Sequence, residues 1–192
     1  MATVKSVPNF FVMKIHHPPH LYFDHTYYFL TARTYQGQKV FFCDERKQLL
    51  LISLKAEVQR YDYKLMAWVI LENHYHLLFR TFKSDYLSKI INQVHGSVSY
   101  QLNKIDNTPG RKIFQNYWDR SMRDEKDFWS HFNYIHHNPV KHGYAISMEN
   151  YKFSSYDYWL KRKGGKWLNS CFETYPILDF TTDNNQPEGW YP

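Results

Sequence analysis

Residues 73–80 read NHYHLLFR, with His74 and His76 one residue apart inside an otherwise apolar run. Side chains alternate across a strand, so the two imidazoles share one face and Tyr75 and Leu77 take the other. That spacing suits a single metal ion, and it equally suits any strand that carries two surface histidines. A metal reading needs a third donor. The stretch FNYIHHNPVKHG at 132–143 offers one. On a helical wheel Phe128, Phe132 and Ile135 form the core stripe, while Tyr134 and Asn138 fall together on a flank well away from it. A phenol, an amide oxygen one turn on and two histidines elsewhere describe a nucleophile beside a metal centre. With 17 tyrosines in the chain, ordinary packing is the competing explanation for Tyr134.

A free phenol ionises near pH 10, so it attacks only when a base or a nearby cation helps it. A divalent ion held by His74, His76 and the Asn138 carbonyl keeps positions open for a substrate oxygen and acts as a Lewis acid. Mixed nitrogen and oxygen donors with water favour Mg²⁺ or Mn²⁺ over a closed structural zinc site. Tyrosine attack on a phosphodiester leaves a phosphotyrosine link to the nucleic acid and releases a 3′-hydroxyl. The bond energy is conserved, and the sequence shows no Gly-rich phosphate loop for ATP.

The elements that position these groups follow from periodicity. Residues 26–33 read as a strand, then Asp44 caps a helix over 45–60 with Leu50, Leu54 and Val58 at helical spacing. Residues 63–72 and 74–81 form a hairpin turning around Glu72 and Asn73. Ser84 or Asp85 caps a helix whose stripe is Leu87, Ile90, Ile91, Val94, Val98 and Leu102, ending near 106–110. A weaker strand spans 115–122; Asp124 opens the last helix and Pro139 stops or kinks it. This order predicts an α+β domain: an antiparallel sheet with helices on one face, resembling the ferredoxin-like group. Residues 1–20 form a loose arm whose His16, His17 and His20 are a weaker metal candidate. Residues 161–192, basic at KRKGGK and then acidic, form an appendage.

The formal charge is +6. The stretch 171–192 has four acids and no Lys or Arg, so residues 1–170 set 24 cations against 14 acids, or +10. A surface that basic attracts polyanions, nucleic acid above all. Two cysteines give no disulfide framework and no stretch approaches a membrane span, so the expectation is a soluble cytoplasmic protein.

Four blocks carry a resemblance. ENHYHLLFR resembles the PNHxHLL segment of the HUH single-tyrosine transposases, and YIHHNPVKHG resembles the YIHxNPVxxG signature of the REP-associated tyrosine transposase branch. WDRSMRDEKDF at 118–128 and NYKFSSY at 150–156 resemble that branch's blocks on either side of the tyrosine helix. The resemblance covers about residues 22–160 and implies an HUH domain over 21–160. It implies His74 and His76 as the metal pair, Tyr134 as nucleophile and Asn138 as the polar residue near the ion. The implied activity is metal-dependent cleavage and rejoining of single-stranded DNA bearing REP-like hairpins, by a monomer, with a dimer as the alternative. Two departures stand out: Glu72 occupies the place of the usual proline, and the stretch before Asp119 is shorter than usual.

Arg120, Arg123 and Lys141 are the candidate phosphate contacts, with local pairing to Asp119, Asp124, Glu125 or Asp127 as the alternative. His137 and His142 read as surface or DNA-contacting positions rather than ligands, and Trp118 as a base-stacking face or core. A non-catalytic single-strand-binding module is the second functional class. A phosphoesterase using water is the third.

Overall fold

The computed structural model describes residues 24–83 and 86–177. Strand β1 (Tyr27–Thr34) passes through a 3-10 turn (Tyr35–Gly37) into helix α1 (Asp44–Arg60), and β2 (Lys64–Ile70) and β3 (His74–Arg80) follow. Helix α2 (Leu87–Ile105), strand β4 (Phe114–Ser121) and helix α3 (Glu125–Lys141) come next. A second 3-10 turn (Met148–Asn150) leads to α4 (Tyr156–Lys163) and α5 (Gly165–Thr174). The four strands form one antiparallel sheet in the order β2-β3-β1-β4, the α+β architecture that the pattern predicts. The β2–β3 hairpin closes with the Leu71 amide donating to the His74 carbonyl at 2.9 Å, which leaves Glu72 and Asn73 as the loop. The expected caps at Ser84 or Asp85, the arm 1–20 with its histidines, and residues 178–192 lie outside the described residues.

Helices cover both faces of the sheet, not the single face expected. Tyr28, Leu30, Tyr75, Leu77 and Phe79 meet α1 and α2; all six stripe residues of α2 are buried there. Phe29, Ala67, Val69 and Leu78 point the other way and meet Phe132, Tyr134 and Ile135 of α3. The reason is visible in β3, buried at six successive positions: a strand covered on both sides reads as a continuous apolar run.

At the start of α1, Cys43 rather than Asp44 holds the capping position. Asp44 becomes the first helical residue and pairs with Lys152 at 2.7 Å. Asp124 does cap α3, its Oδ1 accepting from the Asp127 amide at 2.7 Å. Pro139 does not end that helix, which runs on to Lys141. The turn closes past the proline: the Gly143 amide donates to the Val140 carbonyl at 3.0 Å and the Tyr144 amide to the Pro139 carbonyl at 2.8 Å. This paired closure needs a left-handed residue, and Gly143 supplies it at φ 71°.

The C-terminal stretch is not an appendage through residue 177. Helices α4 and α5 pack on the outer side of α3, burying Leu168 and Cys171 with Trp159 and Trp167 around Phe132. Asn133 Nδ2 donates to the carbonyls of Cys171 at 2.9 Å and Tyr175 at 2.7 Å, tying α3 to the end of α5. Helix α3 is therefore enclosed from both sides, and every residue from Ser130 to His136 is buried.

Candidate active site

Alternation puts His74, His76 and Leu78 of β3 on the α3 side of the sheet. In the antiparallel register Thr31 lies opposite His76 and Arg33 opposite His74, so these β1 side chains share that face. The Tyr134 wheel reading is corrected here: the phenol does not flank the domain but is 5% exposed, in the core between α3 and the sheet. Enclosure of α3 from two sides is the cause, because a helix covered twice has no free flank. Tyr134 stands edge-on to His76, ring centroids 5.3 Å apart, and to Phe29 at 6.2 Å. One turn on, Asn138 Oδ1 lies 3.2 Å from His74 Nε2. The residues singled out at 74, 76, 134 and 138 thus come together.

The outer nitrogens of the two imidazoles are held. Asn73 Oδ1, which can only accept, sits 2.7 Å from His74 Nδ1 and assigns the ring hydrogen to that nitrogen. The Thr31 hydroxyl sits 2.8 Å from His76 Nδ1. His74 Nε2 is left with a lone pair aimed at the lone pairs of Asn138 Oδ1, and His76 Nε2 is buried with no hydrogen-bond partner. A proton is a poor remedy. Burial first, then the charge of His142, pull His74 down to about 3 against the bond that a protonated ring would donate to Asn138, with Arg33 and Lys141 adding to the fall. Burial, then His74 and His142, hold His76 well below the ordinary histidine range. Two neutral imidazoles with their outer nitrogens held by neighbours, one of them facing an amide oxygen, are a donor set that fits a divalent cation. No cluster of three or more His, Cys, Asp or Glu suited to a metal exists among the described residues, so the set is two nitrogens and one amide oxygen.

His142 is nearer the pair than a surface position implies: it is half-buried with its ring 5.1 Å from that of His74. His137 is half-buried on the same helix. Lys141 is exposed, with Nζ 5.4 Å from the centre of the Tyr134 ring. Glu72 turns to Lys39 at 3.1 Å.

Arg120 and Arg123 both reach Asp127, at 3.1 and 3.4 Å, so local pairing engages them. Arg120 is 20% exposed and Arg123 76%. Burial raises the Asp127 carboxyl, but His131, the Arg123 amide and the Arg120 charge together hold it well below the ordinary range. His131 leans on Phe29 at 4.5 Å, and Phe29 is also the ring that Tyr134 meets edge-on. Trp118 is half-buried, edge-on to Phe29. Sequence reasoning missed the roles of Thr31, Arg33 and Asn73, and named Asp127 only as one of four pairing partners for the cations. Asn73, adjacent to His74, and Asp127, four residues from Arg123, had a local signal; Thr31 and Arg33 depend on strand register.

Comparison with known proteins adds to this geometry. A Haemophilus influenzae protein designated a REP-associated tyrosine transposase is 30% identical over 112 residues, 53% of this chain and 64% of that protein. The Escherichia coli REP-associated tyrosine transposase is 26% identical over 96 residues, 49% of this chain and 54% of its own length. The matches thus span less than two thirds of either relative. A solved REP-associated tyrosine transposase bound to a REP hairpin shares the fold, with a TM-score of 0.68 over 92% of this chain and 99% of that one at 20% identity. The family of IS200-like transposases matches residues 22–138, well over half of the sequence, and the chain belongs to that family.

Proposed function

We propose that the protein is a transposase that cleaves and rejoins single-stranded DNA through a 5′-phosphotyrosine intermediate, with a divalent ion, Mg²⁺ or Mn²⁺, as cofactor. The observation that carries this reading is the meeting of α3 with β3: Tyr134 against His76, and Asn138 against His74. His74, His76 and Asn138 would hold the ion, which when bound supplies Lewis acidity to a phosphoryl oxygen. Thr31 and Asn73 orient the two imidazoles. Tyr134 Oη forms the new bond to phosphorus as the bond to the 3′-oxygen breaks. The phenol gives up its proton, and the departing oxygen takes one up as a 3′-hydroxyl. The reverse attack by a 3′-hydroxyl rejoins the strand.

The neighbour bound to a REP hairpin and the basic character of residues 1–170 favour hairpin-bearing single-stranded DNA as substrate. Lys141 and Arg123, the more exposed cations, carry the phosphate contacts. Arg120 contributes less there, because its guanidinium is spent on Asp127. The working unit is the domain through residue 177, acting as a monomer.

A denaturing gel tests the reading: protein with a pool of labelled hairpin-flanked oligonucleotides, with Mn²⁺, Mg²⁺ or chelator, for wild type and Tyr134→Phe. A metal-dependent covalent adduct lost in Tyr134→Phe is expected. Cleavage persisting in Tyr134→Phe would mean attack by water. Binding that survives chelation, with no cleavage of any oligonucleotide, would mean a binding module.

A further inference from the structure

Arg33 has no part in the chemistry so far, yet it lies directly opposite His74 in the β1–β3 register and on the same face. It is half-buried, and its guanidinium lies near the Gly37 turn, where a Cβ built on Gly37 would stand 3.8 Å from Nη2. That turn is the one Asn73 touches, Nδ2 to the Gly37 carbonyl at 3.4 Å, so Arg33 is at the His74 end of the site. From the facing helix come His142, 5.1 Å from His74, and Lys141, above the Tyr134 ring. Glu72, the acid next to the pair in sequence, is occupied with Lys39. Two elements thus bring a positive rim to a neutral donor set. Burial lowers the Arg33 pKa, the mark of a partly desolvated guanidinium, and such a group attracts an oxyanion more strongly than one in water.

We propose that Arg33, with Lys141 and His142 across from it, forms a seat for a non-bridging phosphate oxygen beside the His74–Asn138 pair. The proposal rests on the reading that this site handles a phosphodiester. Arg33 is the principal member, because its half-buried planar fork can meet two oxygens at once, whereas the lysine is a mobile point charge on an exposed helix end.

The test uses the metal-free full chain and inorganic phosphate as probe, titrated at ionic strength held constant with chloride and followed by the melting temperature. Wild type and Tyr134→Phe are expected to show the same saturable rise. Arg33→Gln is expected to bind phosphate about tenfold more weakly or worse, and Arg33→Lys to recover part of the loss. Lys141→Gln, at an exposed position, gives a second variant whose folding is not in doubt and should weaken phosphate by a smaller factor. No saturable response in wild type, or equal affinity in Arg33→Gln, overturns the seat. Because the titration needs no cleavage, phosphate binding lost in Arg33→Gln alongside a wild type that forms no adduct would retain the seat and reject the transferase reading. An adduct in wild type with unchanged phosphate affinity in Arg33→Gln would do the reverse.

Discussion

The Thr31 hydroxyl holds His76 Nδ1 at 2.8 Å from the directly opposing position on the neighbouring strand. Replacing this hydroxyl with a methyl frees the imidazole to change tautomer and tilt. Thr31→Val is expected to lower Mn²⁺ affinity by about 10- to 100-fold in calorimetric titration, and Thr31→Ser to restore most of it. Undiminished Mn²⁺ binding in Thr31→Val would show that the hydroxyl does not orient a ligand.

Asp127 gathers Arg120, Arg123 and His131 at the start of α3. Asp127→Asn leaves a partly buried guanidinium without its counter-charge and should cost about 2–3 kcal/mol in urea unfolding. Arg120→Ala should likewise lower stability. Arg123→Ala, at an exposed pair, should shift stability by less than about 0.5 kcal/mol while reducing the salt slope of DNA binding by about one. A larger salt-slope change in Arg120→Ala than in Arg123→Ala would assign the DNA contact to Arg120 instead.

His95 lies flat on Phe114 at 3.8 Å with Nε2 2.8 Å from the Tyr75 hydroxyl, and burial pulls it down to about 3. In the unfolded chain it takes up a proton near pH 6.5, whereas the folded chain resists until about 3, so acid favours unfolding between those limits. Stability should fall as pH drops below 6.5, with His95 contributing at most on the order of 1 kcal/mol per pH unit. In His95→Gln, which keeps a partner for Tyr75, the slope between pH 6.5 and 4.5 should be shallower. An unchanged slope would remove His95 as a source of acid sensitivity.

Leu168 of α5 is fully buried against the outer side of α3. Leu168→Ala should cost about 2–4 kcal/mol, as truncation in a packed core does. A loss below about 0.5 kcal/mol would mean that α5 is peripheral after all.

How far these features can be read from the chain depends on whether the cause is local. The α2 stripe and the β2–β3 hairpin are visible because 3.6- and 2-residue periods act within a few positions. The site pair is visible for the same reason: His74 and His76 differ by two, Tyr134 and Asn138 by four. The placement of Tyr134 is not, since the same wheel serves a helix covered once and a helix covered twice, and only α4 and α5 decide between them. Pro139 misleads in a similar way. Its cost is real, but Gly143 four residues later provides the closure that tolerates it. Thr31 and Arg33 carry no signal at all until β1 is set in register against β3.

Enclosure of α3 also bears on how strands would be exchanged. On the proposed reading, the nucleophile sits on a helix gripped by the sheet on one side and by α4 and α5 on the other, and has little freedom to travel. An end bonded to Tyr134 would therefore stay beside the 3′-hydroxyl it was cut from, and resealing of the original strand would be the default. Recombination would then require the nucleic acid to do the moving, with a new 3′ terminus delivered to a stationary phenol.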